Sequence, residues 1–208
     1  MTDDRLDGWT DDQSDGQTNH WSDVREQVER RTDRVVSDLQ DEWEPARTVE
    51  PFEYGPVSHA PDEPPETVAE QLELIAGIAS VILFYTSDHE ETVLVYNPSG
   101  FWEPPGGVIE RDQTPAEAAR AEAHEETGLD VELTDLLYAG RFDYRYESGE
   151  SVSLPVAQFV GHRVGGSLRV EREGTDHPGV TRATGLFDGE VFPEECRDAE
   201  EIRRLFEA

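Results

Sequence analysis

Three glutamates, Glu122, Glu125 and Glu126, stand at i, i+3 and i+4 in the segment GGVIERDQTPAEAARAEAHEETGL, residues 106–129. On a helix that spacing puts all three carboxylates on one face, where they repel one another. Such crowding is tolerated where a hard divalent cation sits among the carboxylates, because magnesium and manganese prefer oxygen ligands. Gly106 and Gly107 end the loop before the helix. A missing side chain at Gly107 would let backbone oxygen approach the same cation. The chemistry expected of such a group is the holding of a hard divalent cation.

The elements that must hold these residues are legible on either side. Thr114, Pro115 and Glu117 read as a cap, a first-turn proline and a capping-box acid, and Gly128 closes a helix over about 114–127. Upstream, a buried strand is expected over 77–85 and another over 92–96, followed by a Pro/Gly loop over 97–107. Downstream, strands are expected over 131–137, 140–146 and 154–164, with a further short one over 168–171, before a last helix over about 196–206. Strands, one helix, more strands and a final helix make an α+β chain, a sandwich of helices about a mixed sheet.

The segment resembles the signature of a known family, the Nudix hydrolases. In register over all 23 positions from Gly107 to Leu129, the pattern asks for Gly, then Glu, then Arg-Glu, a Glu pair, Gly and an apolar residue. Glu122 falls on the Glu after the Arg, Glu125 and Glu126 fall on the pair, and Gly128 and Leu129 close the motif. The approach Trp102-Glu103-Pro104-Pro105-Gly106 is similar to the family's as well. Two positions depart. Gln113 stands where the family has Glu, and Ala121 stands where it has an Arg that helps orient the acidic cluster. Arg120 is one residue away, about 100° around the helix, and is a poor substitute. The two departures together remove one anion and one cation, so if the pair normally interact neither charge is left stranded.

The resemblance implies an α/β/α sandwich over residues 74–208 and hydrolysis of the diphosphate linkage of a nucleoside diphosphate derivative. It assigns Mg2+ or Mn2+ to Gly107, Glu122, Glu125 and Glu126, the three Glu being catalytic as well. A proton acceptor for the attacking water would be one of these or a later acid; Glu171 and Glu173 are loop candidates, though each reads first as solvated surface. Substrate contacts are expected outside the motif, from Trp102 beside the glycine loop and from Arg141 and Arg145. The latter two flank Phe142, Tyr144 and Tyr146 in a strictly alternating run whose aromatic face reads first as core. The departures at 113 and 121 keep an alternative open, a Nudix-like module that binds or senses a nucleotide without turning it over; the intact glutamates argue against it.

The 208 residues carry 48 Asp and Glu against 17 cations, all Arg with no Lys, for a formal charge of −31. The excess is spread: 18 acids and 6 Arg lie in 1–65, and 30 acids and 11 Arg in 66–208. Direct binding to nucleic acid or anionic membrane is thereby excluded as an expectation, since both need basic patches. Elimination of Lys with retention of Arg is similar to proteins of halophilic, high-salt organisms. With one cysteine, Cys196, no intrachain disulfide is available. No signal-like or membrane-length apolar run is seen, so a cytoplasmic chain is expected.

Residues 1–19 read as a disordered acidic tail. Residues 20–73 read as an extension: a helix capped by Ser22 and stopped by Pro45, then a Pro-rich linker over 45–65 lying along the domain surface. Trp21, Val24, Val28, Val35, Leu39 and Trp43 share one stripe of that helix, which would pack on its own domain or on a second copy as a homodimer.

Overall fold

A computed structural model describes residues 15–54, 61–96, 100–169 and 183–207. Helix α1 spans Asp15–Trp43; strands β1 (Arg47–Thr48) and β2 (Phe52–Tyr54) follow, then helix α2 (Val68–Leu74). Next come β3 (Ile78–Phe84), β4 (Thr92–Tyr96), β5 (Trp102–Glu103), β6 (Gly106–Val108) and helix α3 (Pro115–Thr127). The long strands β7 (Leu129–Arg145) and β8 (Ser151–Gly166) precede β9 (Ala183–Phe187) and helix α4 (Ala199–Phe206). Among the described residues, no helix is long and apolar enough to cross a membrane.

The strands form one mixed sheet in the order β1-β7-β8-β3-β4-β5, with β2 also on β7, β6 on β3 and β9 on β4. β3 runs parallel to β8 and antiparallel to both β4 and β6. One edge of β3 is shared: Leu83 and Phe84 pair with β4, whereas Ile78, Ala79 and Ser80 pair with β6. This splay brings the two glycines against the middle of the sheet. Side chains alternate along β3, so Ala79, Val81 and Leu83 face α3 and α1, packing with Ala118, Ala119 and Leu39. Ile82 and Phe84 face the other way, onto Ile202 of α4. The result is the three-layered sandwich about a mixed sheet, with an N-terminal helix added.

Helix α1 begins at Asp15, seven residues before the expected cap at Ser22. Trp21 packs edge-on against Tyr146 with centroids 5.6 Å apart, so helical geometry is needed upstream of Ser22. Val24, Val28, Val36 and Leu39 are buried, Val35 and Trp43 partly so, and Trp43 meets Phe159 at 5.3 Å. The Thr32 hydroxyl donates to the Ser153 carbonyl at 2.9 Å. The helix thus docks on its own sheet. Val28→Ala is expected to lower stability by about 2 kcal/mol, read as a fall in Tm in concentrated KCl. Limited proteolysis should spare 22–44; rapid cutting there would contradict the docking.

The linker does more than lie on the surface. Arg47–Thr48 and Phe52–Tyr54 join the sheet as edge strands parallel to β7, and Pro51, without an N–H, falls between the two paired pieces. The two strands expected over 131–137 and 140–146 are one continuous β7, bent by three register shifts between Asp130 and Tyr138. The break expected between 137 and 140 is thus replaced by β-bulges within one strand. Leu168 and Arg169 are not in a strand; residues 1–14 and the acids Glu171 and Glu173 lie outside the described residues.

Candidate active site

Helix α3 forms as its caps dictate. Thr114 and Glu117 make a reciprocal capping box, Pro115 occupies the first turn and Gly128 ends the helix at φ 77°. Its inward face is Ala118, Ala119 and Ala123, all buried. Small side chains let the helix lie close to the sheet, which brings its rim against β6. Gly107 pairs with Ala79 and Gly106 with Ser80.

Two of the three glutamates meet those glycines. A Cβ on Gly107 would lie 2.6 Å from the carboxyl carbon of Glu122, and 2.7 and 2.8 Å from its oxygens. A side chain at 107 would therefore displace the carboxylate end of Glu122. The Gly106 N–H donates to the Glu126 carboxylate at 3.0 Å. Glu125 is exposed, yet close enough to act on Glu122. Burial pushes the Glu122 carboxyl upward first, then the charges of Glu125 and Glu110 add to it. Glu110 is a fourth acid at the site that the helical spacing did not reveal, because it sits in the loop before the helix.

The departures have distinct surroundings. Gln113 closes a turn: its side-chain oxygen accepts from Glu110 N–H at 3.2 Å, and its own N–H donates to the Glu110 carbonyl at 3.1 Å. Ala121 is exposed. Arg120 donates back to the Ala116 carbonyl at 3.3 Å, along the helix and away from the glutamates. Arg111 pairs with Glu73 of α2 at 3.2 Å.

Among the described residues, no three acidic, His or Cys side chains stand together as a ready metal cluster. The donor chemistry nonetheless fits a hard cation: an all-oxygen set at one helix face, with Glu122 raised by burial and then by neighbouring carboxylates, and laid against a bare glycine. A cation would draw Glu125 and Glu126 toward Glu122.

Trp102 is half-buried, packing on Phe187 at 4.8 Å and on Tyr96 at 5.3 Å. Arg141 pairs with Asp33 of α1, and Arg145 with Glu53 of β2 at 3.1 Å, while Phe142, Tyr144 and Tyr146 are buried. Both guanidiniums are therefore engaged on the extension side, and the structure does not bring them to the glycine loop. A second polar group, invisible to local spacing, gathers beneath α4. Gln158 donates to Asp198 at 3.1 Å, Arg197 pairs with Glu103 at 3.0 Å, and Arg47 pairs with Glu201 at 3.3 Å. Burial first, then nearby acids, raise Glu103 and Asp198, with Arg197 opposing both and the Gln158 bond also holding Asp198 down. Burial pushes the Cys196 thiol up to about 12, which disfavours the thiolate.

Residues 77–196, more than half of the chain, match the family model described as NUDIX domain. A curated "MutT-like protein" of Streptomyces ambofaciens is 50% identical over 38 residues, 18% of this chain and 25% of that protein. The match thus spans about a quarter of that relative's length. Among solved structures, the chain is similar to an ADP-ribose pyrophosphatase from Streptococcus suis at 20% identity, covering 56% of this chain and 76% of the other, TM-score 0.38. A MutT NUDIX hydrolase from Burkholderia pseudomallei aligns at 20% identity over 61% and 95%, TM-score 0.43. The E. coli dihydroneopterin triphosphate pyrophosphohydrolase aligns at 16% over 64% and 92%, TM-score 0.44.

Proposed function

We propose that this chain, which belongs to the NUDIX domain family, is a metal-dependent pyrophosphohydrolase that cleaves the diphosphate linkage of a nucleoside diphosphate derivative. The observation that carries the reading is the docking of two motif carboxylates on the glycine loop, Glu122 against Gly107 and Glu126 on the Gly106 N–H. Glu122, Glu125, Glu126 and the Gly107 carbonyl would hold Mg2+ or Mn2+. The bound ion would neutralise phosphate charge and acidify a water. The chain's own part is to hold the carboxylates in place through the small-residue face of α3, and to offer a carboxylate for the water's proton. Glu125 and Glu110, whose charges act on Glu122, would be the candidates for that task. An acid-covered chain in the cytoplasm, binding a small nucleotide and neither membrane nor nucleic acid, accords with the charge of −31.

The test is a screen of nucleoside diphosphate derivatives with magnesium or manganese in about 1 M KCl, where surface repulsion is screened. Release of two phosphate-bearing fragments is the expected result. Ligand binding with no cleavage of any diphosphate would favour the binding module instead, a reading to which the uncharged, exposed Ala121 lends weight.

Metal binding should also carry a pH signature. Because Glu122 is raised, its proton is held to a higher pH than in the unfolded chain, so the metal-free protein gains stability on mild acidification. The cation needs the deprotonated form. The rise in Tm on adding magnesium should therefore be full at neutral pH and fade on acidification, starting at a higher pH than for an ordinary Glu. A magnesium effect constant down through the usual carboxylate range would contradict the assignment.

A further inference from the structure

In a chain whose acids outnumber its cations 48 to 17, three arginines gather on helix α1. Arg34 follows Arg30 by four residues and Arg31 by three, so on the helix it faces both. With Gln27, Asp33 and Val68 at the start of α2, the three line an open cleft of about 560 Å³. That volume is within the range of clefts that hold small molecules. Arg30 and Arg34 are exposed and Arg31 is half-buried, so the cleft is open to an ion in solvent.

The acids close by do not neutralise this group. Arg30 pairs with Glu26, but among the described residues neither Arg31 nor Arg34 has a carboxylate partner. Arg31 donates to the Ala76 carbonyl at 3.2 Å, and Arg34 Nε donates to the Arg30 carbonyl at 3.4 Å. Asp33, the acid in the lining, is held by Arg141 of β7. The acids of α2 are engaged as well. Glu70 accepts from the N–H groups of Glu66 and Thr67, and Glu73 pairs with Arg111. Burial first, then the charge of Arg34, push the Arg31 guanidinium below its ordinary value. Two like charges are thus left side by side, a repulsion that an anion from solution would relieve.

We propose that this cleft is a ligand site of the extension, binding a phosphate monoester as its dianion through the Arg31 and Arg34 guanidiniums. A guanidinium offers paired N–H groups that match two phosphate oxygens, and a dianion answers two cations where chloride or a carboxylate answers one. The cleft has room for more than a bare phosphate, and Gln27 and Val68 offer an amide and an apolar contact to the rest of the ester. Its lining lies outside the matched stretch 77–196 and shares no residue with the glycine loop. The site therefore stands whether or not that loop hydrolyses a diphosphate.

Inorganic phosphate and adenosine 5′-monophosphate are titrated separately into the metal-free full chain in concentrated KCl, at a mildly alkaline pH where both are dianions, and followed by NMR. Each should shift the resonances of residues 27–34 and 68 saturably, the ester binding more tightly than phosphate. Arg34→Gln should weaken both by about tenfold or more, the scale of a lost hydrogen bond to a charged group. Arg34→Lys should weaken them less, since the charge stays and only the fork is lost. Arg34 is exposed and bonds only its own helix, so neither change threatens the fold. Arg120→Gln removes an exposed cation from α3, outside the cleft lining, and should leave both affinities unchanged. No saturable shift, shifts centred on 106–129, equal weakening by Arg34→Gln and Arg120→Gln, or phosphate bound as well as the ester would each overturn the proposal.

Discussion

Glu122→Gln should stabilise the metal-free protein and remove most of its turnover, two effects of opposite benefit from one atom change. Glu122 is raised by burial and by the charges of Glu125 and Glu110, so its ionised form strains the fold at neutral pH. An amide of the same shape keeps the packing against Gly107 and abolishes the repulsion. The Tm of metal-free protein should rise, and the magnesium-induced rise should shrink. Turnover should fall by about 100-fold or more, the scale on which a charged group at the reacting centre acts. Glu126→Gln should lose activity without the gain in stability, because an amide oxygen can still accept from Gly106 N–H. Gly107→Ala should push the Glu122 carboxylate aside, lowering turnover and the magnesium response with little change in fold, since its Cβ would press to 2.6 Å on the Glu122 carboxyl carbon at the flexible end of that side chain. Unchanged activity in Glu122→Gln would withdraw that residue from the site.

The contrast between those glutamates and the polar group beneath α4 marks what a linear sequence can carry. Helix α3 was legible to the residue because its determinants are local: Thr114, Pro115, Glu117 and Gly128 act within a turn of the residues they govern. The same locality made the three carboxylates visible as one face. Arg47, Glu103, Gln158 and Asp198 come from β1, β5, β8 and the approach to α4, and only strand register brings them together. No spacing rule connects them. Glu110 escaped for a lesser reason, being on the loop side of the cap, where periodicity gives no phase. The alternating run 141–146 was read correctly as a core face for Phe142, Tyr144 and Tyr146, but the partners of its arginines, Asp33 and Glu53, lie about a hundred residues earlier. The extension's strands were missed because Pro45 and Pro51 mark a linker, whereas short edge strands accept proline between their paired residues.

Loss of the fold in dilute buffer is the other large effect expected, and the structure says where it should begin. A charge of −31 with no Lys leaves long-range repulsion that local pairs do not offset. Ion pairs such as Arg25–Glu29 and Arg204–Glu200 are exposed i,i+4 contacts, worth about 0.5 kcal/mol each at best. Screening does more: the Debye length falls from ~10 Å at 0.1 M salt to ~3 Å at 1 M. Helix α1 shows the imbalance within one element. Up to Arg34 it carries Arg25, Arg30, Arg31 and Arg34 among the acids, but from Val35 to Trp43 there are Asp38, Asp41 and Glu42 and no cation. Acids at a helix C-terminus also face the negative end of the helix dipole. Beyond Val35 and Val36, Leu39 and Trp43 hold that end to the sheet, through packing whose strength salt does not supply. As KCl is lowered from molar to dilute, hydrogen exchange should rise first over 38–44, and β1, which follows directly, should release from Tyr138 and Ala139 next. Far-UV circular dichroism should then show cooperative loss of the remaining structure. A Tm that stays the same from dilute to molar KCl, with 38–44 as protected as the first half of α1, would refute the salt requirement and return the acid excess to a matter of composition alone.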